Sequence, residues 1–366
     1  MKKLTGQLYL ITIILSLIGL VFIYSTSAHL SMERYGHSFF FAKRQMMWIF
    51  LGLIAQMICL KIKLDFYKKY AIYLMLLNIV LLLIVLVPAF SFTAGGARRW
   101  IQLGFFRFQP SEFCKLVTVI FVAKMLSLKE IDIYKKWRIF CTLFIFLIGT
   151  LALIMAERDL GGTIILSSTI FVMFYISGIQ KRYLLGCIGL VSPVVYMAIT
   201  KYAFRMERLL TYLNPWEDPR DKGYQVIQSM IAISRGGGLG QGLGQSLQKY
   251  DYLPESNTDF IFSIYAEETG FLGALILIGL YLYLFSVALL ISWKSEDYFS
   301  RYLGSGLTFL LAIQVFIHMG VSTALLPTKG TTLPFFSFGG SSLLSNLIAV
   351  GLLINIDKFN RKKYQI

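Results

Sequence analysis

One carboxylate, Asp259, closes the polar part of the string LPESNTDFIF (Leu253 to Phe262), where a long polar stretch gives way to an apolar one. A carboxylate there is costly to bury, so it is a functional candidate by default, and taking a proton from a substrate hydroxyl is the chemistry it could do. Arg98, Arg99 and Arg107 form a second candidate group. Guanidinium groups offer forked, permanently charged donors to phosphate oxygens, although snorkelling or pairing with a nearby acid would use them as well. In QPSEFCK, which follows directly, Pro110 starts a helix and Glu112 and Lys115, spaced i,i+3, share one face. In an apolar helix such a pair either closes on itself or faces a polar cavity. ERDLGGT brings Glu157, Arg158 and Asp159 together, and Gly161 and Gly162 permit a sharp turn. LPTKGTTLPFFSFGGSS (Leu326 to Ser342) carries Lys329 and Gly330 on irregular backbone between apolar segments, which is tolerated only where it is buried in protein or lines a wet cavity.

The elements that must position these groups are membrane spans. With 57% hydrophobic and 15% charged residues over 366, and mean hydropathy +0.67, the chain has more apolar surface than a globular core of this size could hide. The expectation is an all-α polytopic membrane protein forming one domain, residues 1–366. Ten spans can be read, at Leu8–Tyr24, Met46–Leu60, Ile72–Phe90, Phe113–Leu126, Ile139–Ala156, Gly162–Gly178, Leu184–Thr200, Phe271–Ser292, Leu303–Leu325 and Leu343–Ile356.

Lysines and arginines fall in alternate loops: Lys2 and Lys3, Lys61 to Lys69, Lys135 to Arg138, Lys181 and Arg182, Lys294 and Arg301, and Lys358 to Lys363. These loops are expected in the cytoplasm with both termini, which places Arg99 and Asp259 outside. The same bias accounts for most of the +16 net charge and leaves little for nucleic acid to explain. The first apolar segment lacks a small-residue cleavage site and reads as a retained span. Cys59, Cys114, Cys141 and Cys187 lie within spans without ligand spacing and read as packing residues. The stretch from 201 to 258 is expected as one large extracytoplasmic loop. Its glycine cluster GGGLGQGLG (Gly236 to Gly244) does not fit a dinucleotide site and reads as mobile backbone, and its aromatics as an interfacial belt.

Four strings in register with this topology, ARRWIQLGFFRFQPSEFCK, NPWEDPRDKGYQVIQS, LPESNTDFIF and LPTKGTTLPFFSFGGSS, resemble the SEDS family of peptidoglycan glycosyltransferases along the whole chain. NPWEDP and the Lys329-Gly330 pair resemble the division-type more than the elongation-type members. The resemblance implies that Asp259 is the essential loop aspartate, Arg99 the arginine before tryptophan, Glu112 and Lys115 the paired charges, and Asp159 the acid of the D-x-G turn. The sequence departs from the family pattern at Asn257 (usually His), His318 (Asn), Phe338 (Tyr), Ala324 (Gly) and Gly162, an added glycine. Asn257 weakens any proton relay beside the aspartate, and His318 reads as a packing or hydrogen-bonding residue.

The implied reaction polymerises lipid II, an undecaprenyl-diphosphate-linked disaccharide-peptide, on the outer face of the bacterial inner membrane at the division septum. Asp259 would be the base, and Arg99, with Lys115 or Lys329, would hold the departing diphosphate. A divalent cation, Mg2+ or Mn2+, could bridge the diphosphate to Asp259 or Asp159. The expected partners are a class B penicillin-binding transpeptidase and divisome proteins. A lipid II flippase, an elongation-type polymerase and a non-catalytic scaffold are the alternatives. Paired broken helices would favour transport, and the sequence offers no convincing pair.

Overall fold

The computed structural model describes residues 2–94, 97–104, 106–128, 137–186, 189, 200, 203–250 and 252–364. Three helices open the chain: α1 (Lys2–Tyr35), α2 (Phe40–Lys61) and α3 (Leu64–Leu86). A three-stranded antiparallel sheet follows, β1 (Ser91–Ala94), β2 (Ala97–Leu103) and β3 (Phe106–Phe108), with Ser91 opposite Ile101 and Gln102 opposite Arg107. Next come α4 (Pro110–Ser127), α5 (Trp137–Ala156) and α6 (Leu160–Ile176). Then α7 (Ala203–Leu213) and α8 (Tyr224–Gly236) flank a short 3-10 turn, and α9 (Ile261–Trp293), α10 (Tyr298–Ser322) and α11 (Gly340–Tyr364) complete the chain.

The all-α polytopic class holds. Helices coincide with nine of the ten expected spans. The span expected over Leu184–Thr200 lies largely outside the described residues, as do Lys135, Lys136, Lys201 and Cys187. Among the described residues, α1, α3, α9, α10 and α11 contain segments long and apolar enough to cross a membrane unaided, while Cys141–Ala156 and Leu160–Ile176 are apolar but shorter. The central pair is α10 and α11, with 72% and 78% of the apolar segment inside the protein. Around them α11 packs on α2, α10 on α9, α4 and α6, and α3 on α4.

The two ends of the bundle differ in kind. At one end Asn355 donates to the carbonyls of Cys59 and Ile62, Lys358 reaches the Leu60 carbonyl, Lys68 lies 4.0 Å from Asp297, and Thr5, Asp357 and Arg361 bond to one another. This end gathers the basic connections read above. The other end gathers Arg99, Asp159, Asp259 and Lys329.

Two readings need correction. The stretch from 201 to 258 is not simply a loop, because it contains α7 and α8. In α8 the residues Val226, Ile227, Ser229 and Ala232 are buried, and the helix packs on α9. Nor is the glycine cluster loose backbone. Helix α9 is broken at Gly270 (φ 69°, ψ −168°), and the cluster zips onto the break. The amides of Gln241 and Gly242 donate to the carbonyls of Glu267 and Glu268, and those of Phe271 and Leu272 to the carbonyls of Gly237 and Gly238. A broken helix in an apolar setting must have its freed backbone groups satisfied, and here glycine backbone does it. Contact is close enough that a Cβ on Gly270 would lie 2.3 Å from the Gly240 nitrogen.

Helix α10 ends in a Schellman motif. The Leu325 amide donates to the Gly320 carbonyl at 2.8 Å and the Ala324 amide to that of Val321 at 3.1 Å. The residue between cap and exit is Ala324, at φ 56°. The backbone therefore keeps the left-handed conformation a glycine would adopt, and the alanine carries the strain. Ala324→Gly is expected to stabilise the protein by about 1 kcal/mol, the left-handed penalty less the entropy of glycine. A thermal melt in detergent checks this, and an unchanged or lower midpoint would refute it.

Candidate active site

Asp259 is set by a tight turn and clasped from outside. Glu255, at φ 55°, presents its carbonyl to the amides of Thr258, Asp259 and Phe260 at 3.1, 3.1 and 3.3 Å, and its carboxylate accepts from Thr258 Oγ1 at 2.8 Å. The segment between α10 and α11 then grips the turn. Phe338 N donates to the Asn257 carbonyl at 3.0 Å and Ser337 Oγ to the Thr258 carbonyl at 2.7 Å, while Ser337 Oγ accepts from Leu333 N. Asn257 thus serves the turn through its main chain. The gripping segment is itself held down: Tyr281 donates to the Pro334 carbonyl at 2.6 Å, and α1 passes so close that a Cβ on Gly19 would meet Phe336 Cα at 2.7 Å. Beneath Thr331 lies buried His318, whose Nδ1 is 2.6 Å from the Thr331 carbonyl, the hydrogen-bonding role read for it.

The Asp259 carboxylate faces Gly330 closely, since a Cβ there would lie 3.1 Å from Oδ2. Burial, reinforced by the negative charge of Glu255, pushes the Asp259 carboxyl up to about 7, with Arg208 and Arg99 pulling the other way. Such a group exchanges its proton near neutrality.

The opposite wall is the α5–α6 turn. Helix α5 also ends in a Schellman motif, Asp159 N donating to the Ile154 carbonyl and Arg158 N to that of Met155, with Arg158 at φ 61°. The sharp turn expected at Gly161 and Gly162 is therefore made earlier in the string, by Arg158. The glycines lie in the first turn of α6, where Asp159 is the N-cap and accepts from Gly162 N at 2.9 Å. They keep space free: a Cβ on Gly162 would lie 2.5 Å from Asp159 Oδ2, and one on Gly161 would touch Thr331 and the Lys329 stem.

Arg99 clasps this turn from β2, with Nη2 donating to the Arg158 carbonyl at 2.6 Å and Nε to the Glu157 carbonyl at 3.4 Å. Lys329 lies beside Asp159. Burial lowers its ammonium to about 8, and Asp159 offsets part of that. Glu157, buried behind the turn, has its carboxyl raised to about 8 by burial and by the charge of Asp159, against the pull of Ser111 and Arg99.

Four of the six expected site residues therefore meet: Asp259, Arg99, Asp159 and Lys329. Glu112 and Lys115 form an ion pair at 2.8 Å in the first two turns of α4 through Glu112 Oε1, while Glu112 Oε2 is buried without a hydrogen bond; beside them Gln109 N donates to Ser341 Oγ, and Ser111 lies near Glu157. Of the other arginines, Arg98 is exposed on β2, and Arg107 stacks 3.7 Å over the Phe92 ring. Sequence reading missed Glu255 and Arg208 as the charges that tune Asp259, and did not assign Glu157 to the site. Glu255 was readable, four residues before Asp259 in the same string, whereas Arg208 and Glu157 act only across the folded site and leave no local signal. Among the described residues no three His, Cys, Asp or Glu side chains converge as metal ligands.

The family model described as Cell cycle protein, which takes in FtsW, RodA and SpoVE, matches residues 6–362. The chain is 38% identical over 351 residues to a probable peptidoglycan glycosyltransferase FtsW of Geobacter metallireducens, covering 95% of this chain and 92% of the relative. It is 40% identical over 356 residues to Stage V sporulation protein E of Bacillus subtilis, covering 97% of each. Among solved structures it resembles a chain described under "Structural coordination of polymerization and crosslinking by a peptidoglycan synthase complex", with TM-score 0.78, 29% identity and 98% of both chains covered. It also resembles the rod shape determining protein RodA of Thermus thermophilus, with TM-score 0.71, 27% identity, and 98% of this chain and 97% of that one covered.

Proposed function

The chain belongs to the FtsW/RodA/SpoVE family of cell cycle proteins, the SEDS family, and from that membership we infer that it is a peptidoglycan glycosyltransferase of cell division in a bacterial membrane. Its substrate is lipid II, polymerised on the extracytoplasmic face at the septum, beside a class B penicillin-binding transpeptidase and other divisome proteins. The observation that carries the catalytic reading is a carboxylate poised near neutrality, Asp259, facing a wall that bears Arg99 and Lys329.

An acceptor hydroxyl must be brought against an anomeric carbon whose leaving group is a lipid diphosphate. Asp259 takes the hydroxyl proton as the new bond forms, work worth about 10² to 10⁴-fold. Arg99 and Lys329 stabilise the charge that develops on the departing diphosphate. An α-linked donor giving a β-linked glycan inverts in one displacement, so no second carboxylate nucleophile is needed. A divalent cation entering with the diphosphate would be held by Asp259 or Asp159 and would add charge stabilisation there. Glu112 and Lys115 support the site from α4. The test is purified protein with lipid II, with and without the transpeptidase, followed by glycan separation on a gel. Absence of polymer in both arms, with lipid II moved across a vesicle membrane instead, would favour a flippase.

A base must be deprotonated to act, so polymerisation is expected to rise with pH and reach half its plateau at about 7. Glu255→Gln removes a charge that raises the Asp259 carboxyl and still accepts from Thr258. It should move the acid limb to lower pH, giving the variant the larger fraction of its own plateau rate at pH 6. A limb that stays in place, or moves up, removes Glu255 from the account.

A further inference from the structure

Lys329, Gly330 and Thr331 run between the two walls of the site and touch both. A Cβ on Gly330 would lie 3.1 Å from Asp259 Oδ2, and one on Gly161 would lie 3.4 Å from Thr331 Cγ2 and 3.9 Å from Lys329 Cδ. No helix or strand contains these three residues. Among the described residues, the main chain from Thr328 to Thr332 makes a single hydrogen bond, in which His318 Nδ1 donates to the Thr331 carbonyl at 2.6 Å. Thr332 adds a side-chain bond to Ser342 Oγ at 2.7 Å, and Thr331 Oγ1 is buried without a partner.

The chemistry of that bond is narrow. A carbonyl can only accept, so Nδ1 carries the proton. Nε2 is buried without a partner, so the ring serves this one contact. The helix behind it is moored to the helix that follows Asp259. Ser229 of α8 donates from Oγ to the Ser322 carbonyl of α10 at 2.6 Å, which leaves Ser263 of α9 to donate to Ser229 Oγ, also at 2.6 Å. Ser322 in turn donates to the His318 carbonyl at 3.0 Å. The end of α10 and the start of α9 therefore share one buried frame, and His318 ties the irregular stretch to it.

We propose that His318 is a positioning residue for the reaction: through the Thr331 carbonyl it sets how closely Gly330 approaches Asp259 and how Lys329 stands beside Asp159. What it supplies is one donor at the δ position, and neither Nε2 nor proton transfer by the ring takes part. The proposal rests on the reading of Asp259 as the base. Asparagine places an amide donor at the same δ position, whereas leucine branches likewise at Cγ and cannot donate. Both lose the same part of the ring, so the difference between them isolates the hydrogen bond.

The full chain, His318→Asn and His318→Leu are compared in nanodiscs. Lipid II polymerisation is followed against pH. So is modification of Asp259 by dicyclohexylcarbodiimide, which reacts with carboxyl groups in their protonated form, read by mass spectrometry. His318→Leu should lower the plateau rate about ten- to a hundredfold, the scale of a misplacement of about 1 Å at a reacting group. It should also move both midpoints below the parent's value of about 7, because a withdrawn Gly330 admits water to a carboxyl that burial raises. The charges that face Asp259, those of Glu255, Arg208 and Arg99, lie outside the stretch and stay in place. His318→Asn should match the parent in rate and in both midpoints. Equal loss in the two variants with unmoved midpoints would make His318 a packing residue, and leucine as active as asparagine would make the bond dispensable. Either result overturns the proposal. If His318→Leu does not fold, His318→Gln, whose amide sits one bond farther out, replaces it with the same expectations. A parent that makes no polymer would count against the proposed function, and the carbodiimide midpoints would then decide on His318 by themselves, equal midpoints for asparagine and leucine overturning its role.

Discussion

Asp259→Asn is expected to leave the fold intact and to lower glycan polymerisation at least about a hundredfold, the lower end for loss of a general base. Asparagine fills the same space beside Gly330, where a larger side chain would not, and the main-chain bonds from Asn257 to Phe260 that shape the turn do not involve the carboxylate. Burial already works against the charged form of this residue, so a neutral isostere removes a strain at alkaline pH and adds none. The melting temperature should therefore equal or exceed that of the parent protein, while the glycan ladder from purified protein and lipid II disappears. Near-normal glycan from the variant would end the role of Asp259 as base.

Arg99 carries the second large expectation. Its guanidinium grips two successive carbonyls of the α5–α6 turn at once, through Nη2 and Nε, which leaves three of its five N–H groups for a phosphate. Lysine is a point charge and can reach one acceptor or the other, not a planar pair and a ligand together. Arg99→Lys should reduce polymerisation about ten- to a hundredfold, the range for loss of one or two charge-assisted hydrogen bonds, and Arg99→Ala should reduce it further. Because the turn keeps its own Schellman bonds and the Asp159 cap, thermal stability should fall little in either variant. Full activity with lysine would show that Arg99 only anchors the turn, and would move the leaving-group role to Lys329.

Much of the architecture was legible because it rests on strongly local signals. Long apolar runs announce helices, Pro110 marks the start of α4, and a carboxylate where polar chain becomes apolar drew notice to Asp259. The strands of β1 to β3 were not legible, being three to seven residues long and mixed in polarity. Nor was the meeting of Lys329 with Asp159, or of Arg208 with Asp259, since charges far apart in sequence give no periodic trace of their pairing. The Glu112–Lys115 spacing was readable, but whether the pair closed on itself or faced a cavity depended on packing, and it pairs through one Glu112 oxygen while the other stays buried and unbonded. The turn between α5 and α6 was placed too late in the string because glycine is the usual sign of left-handed backbone, and here Arg158 adopts it.

The seam between the glycine cluster and the break in α9 also bears on how substitutions combine. Gly236 and Gly240 share one cluster and Gly270 is distant from it in the chain, yet a Cβ on any of them would overlap main-chain atoms across the same join, at 2.1, 2.3 and 2.3 Å respectively. Main chain cannot move aside as a side-chain tip can, so one added methyl at any of the three forces the join open and strips partners from the carbonyls of Glu267 and Glu268. Once it is open, a methyl at another of the three has lost the main-chain atoms it would have met, and only the positive φ of Gly240 and Gly270 still counts against it. The three positions are thus genetically one site: their single-substitution defects are redundant, and a double variant is little worse than its more severe parent.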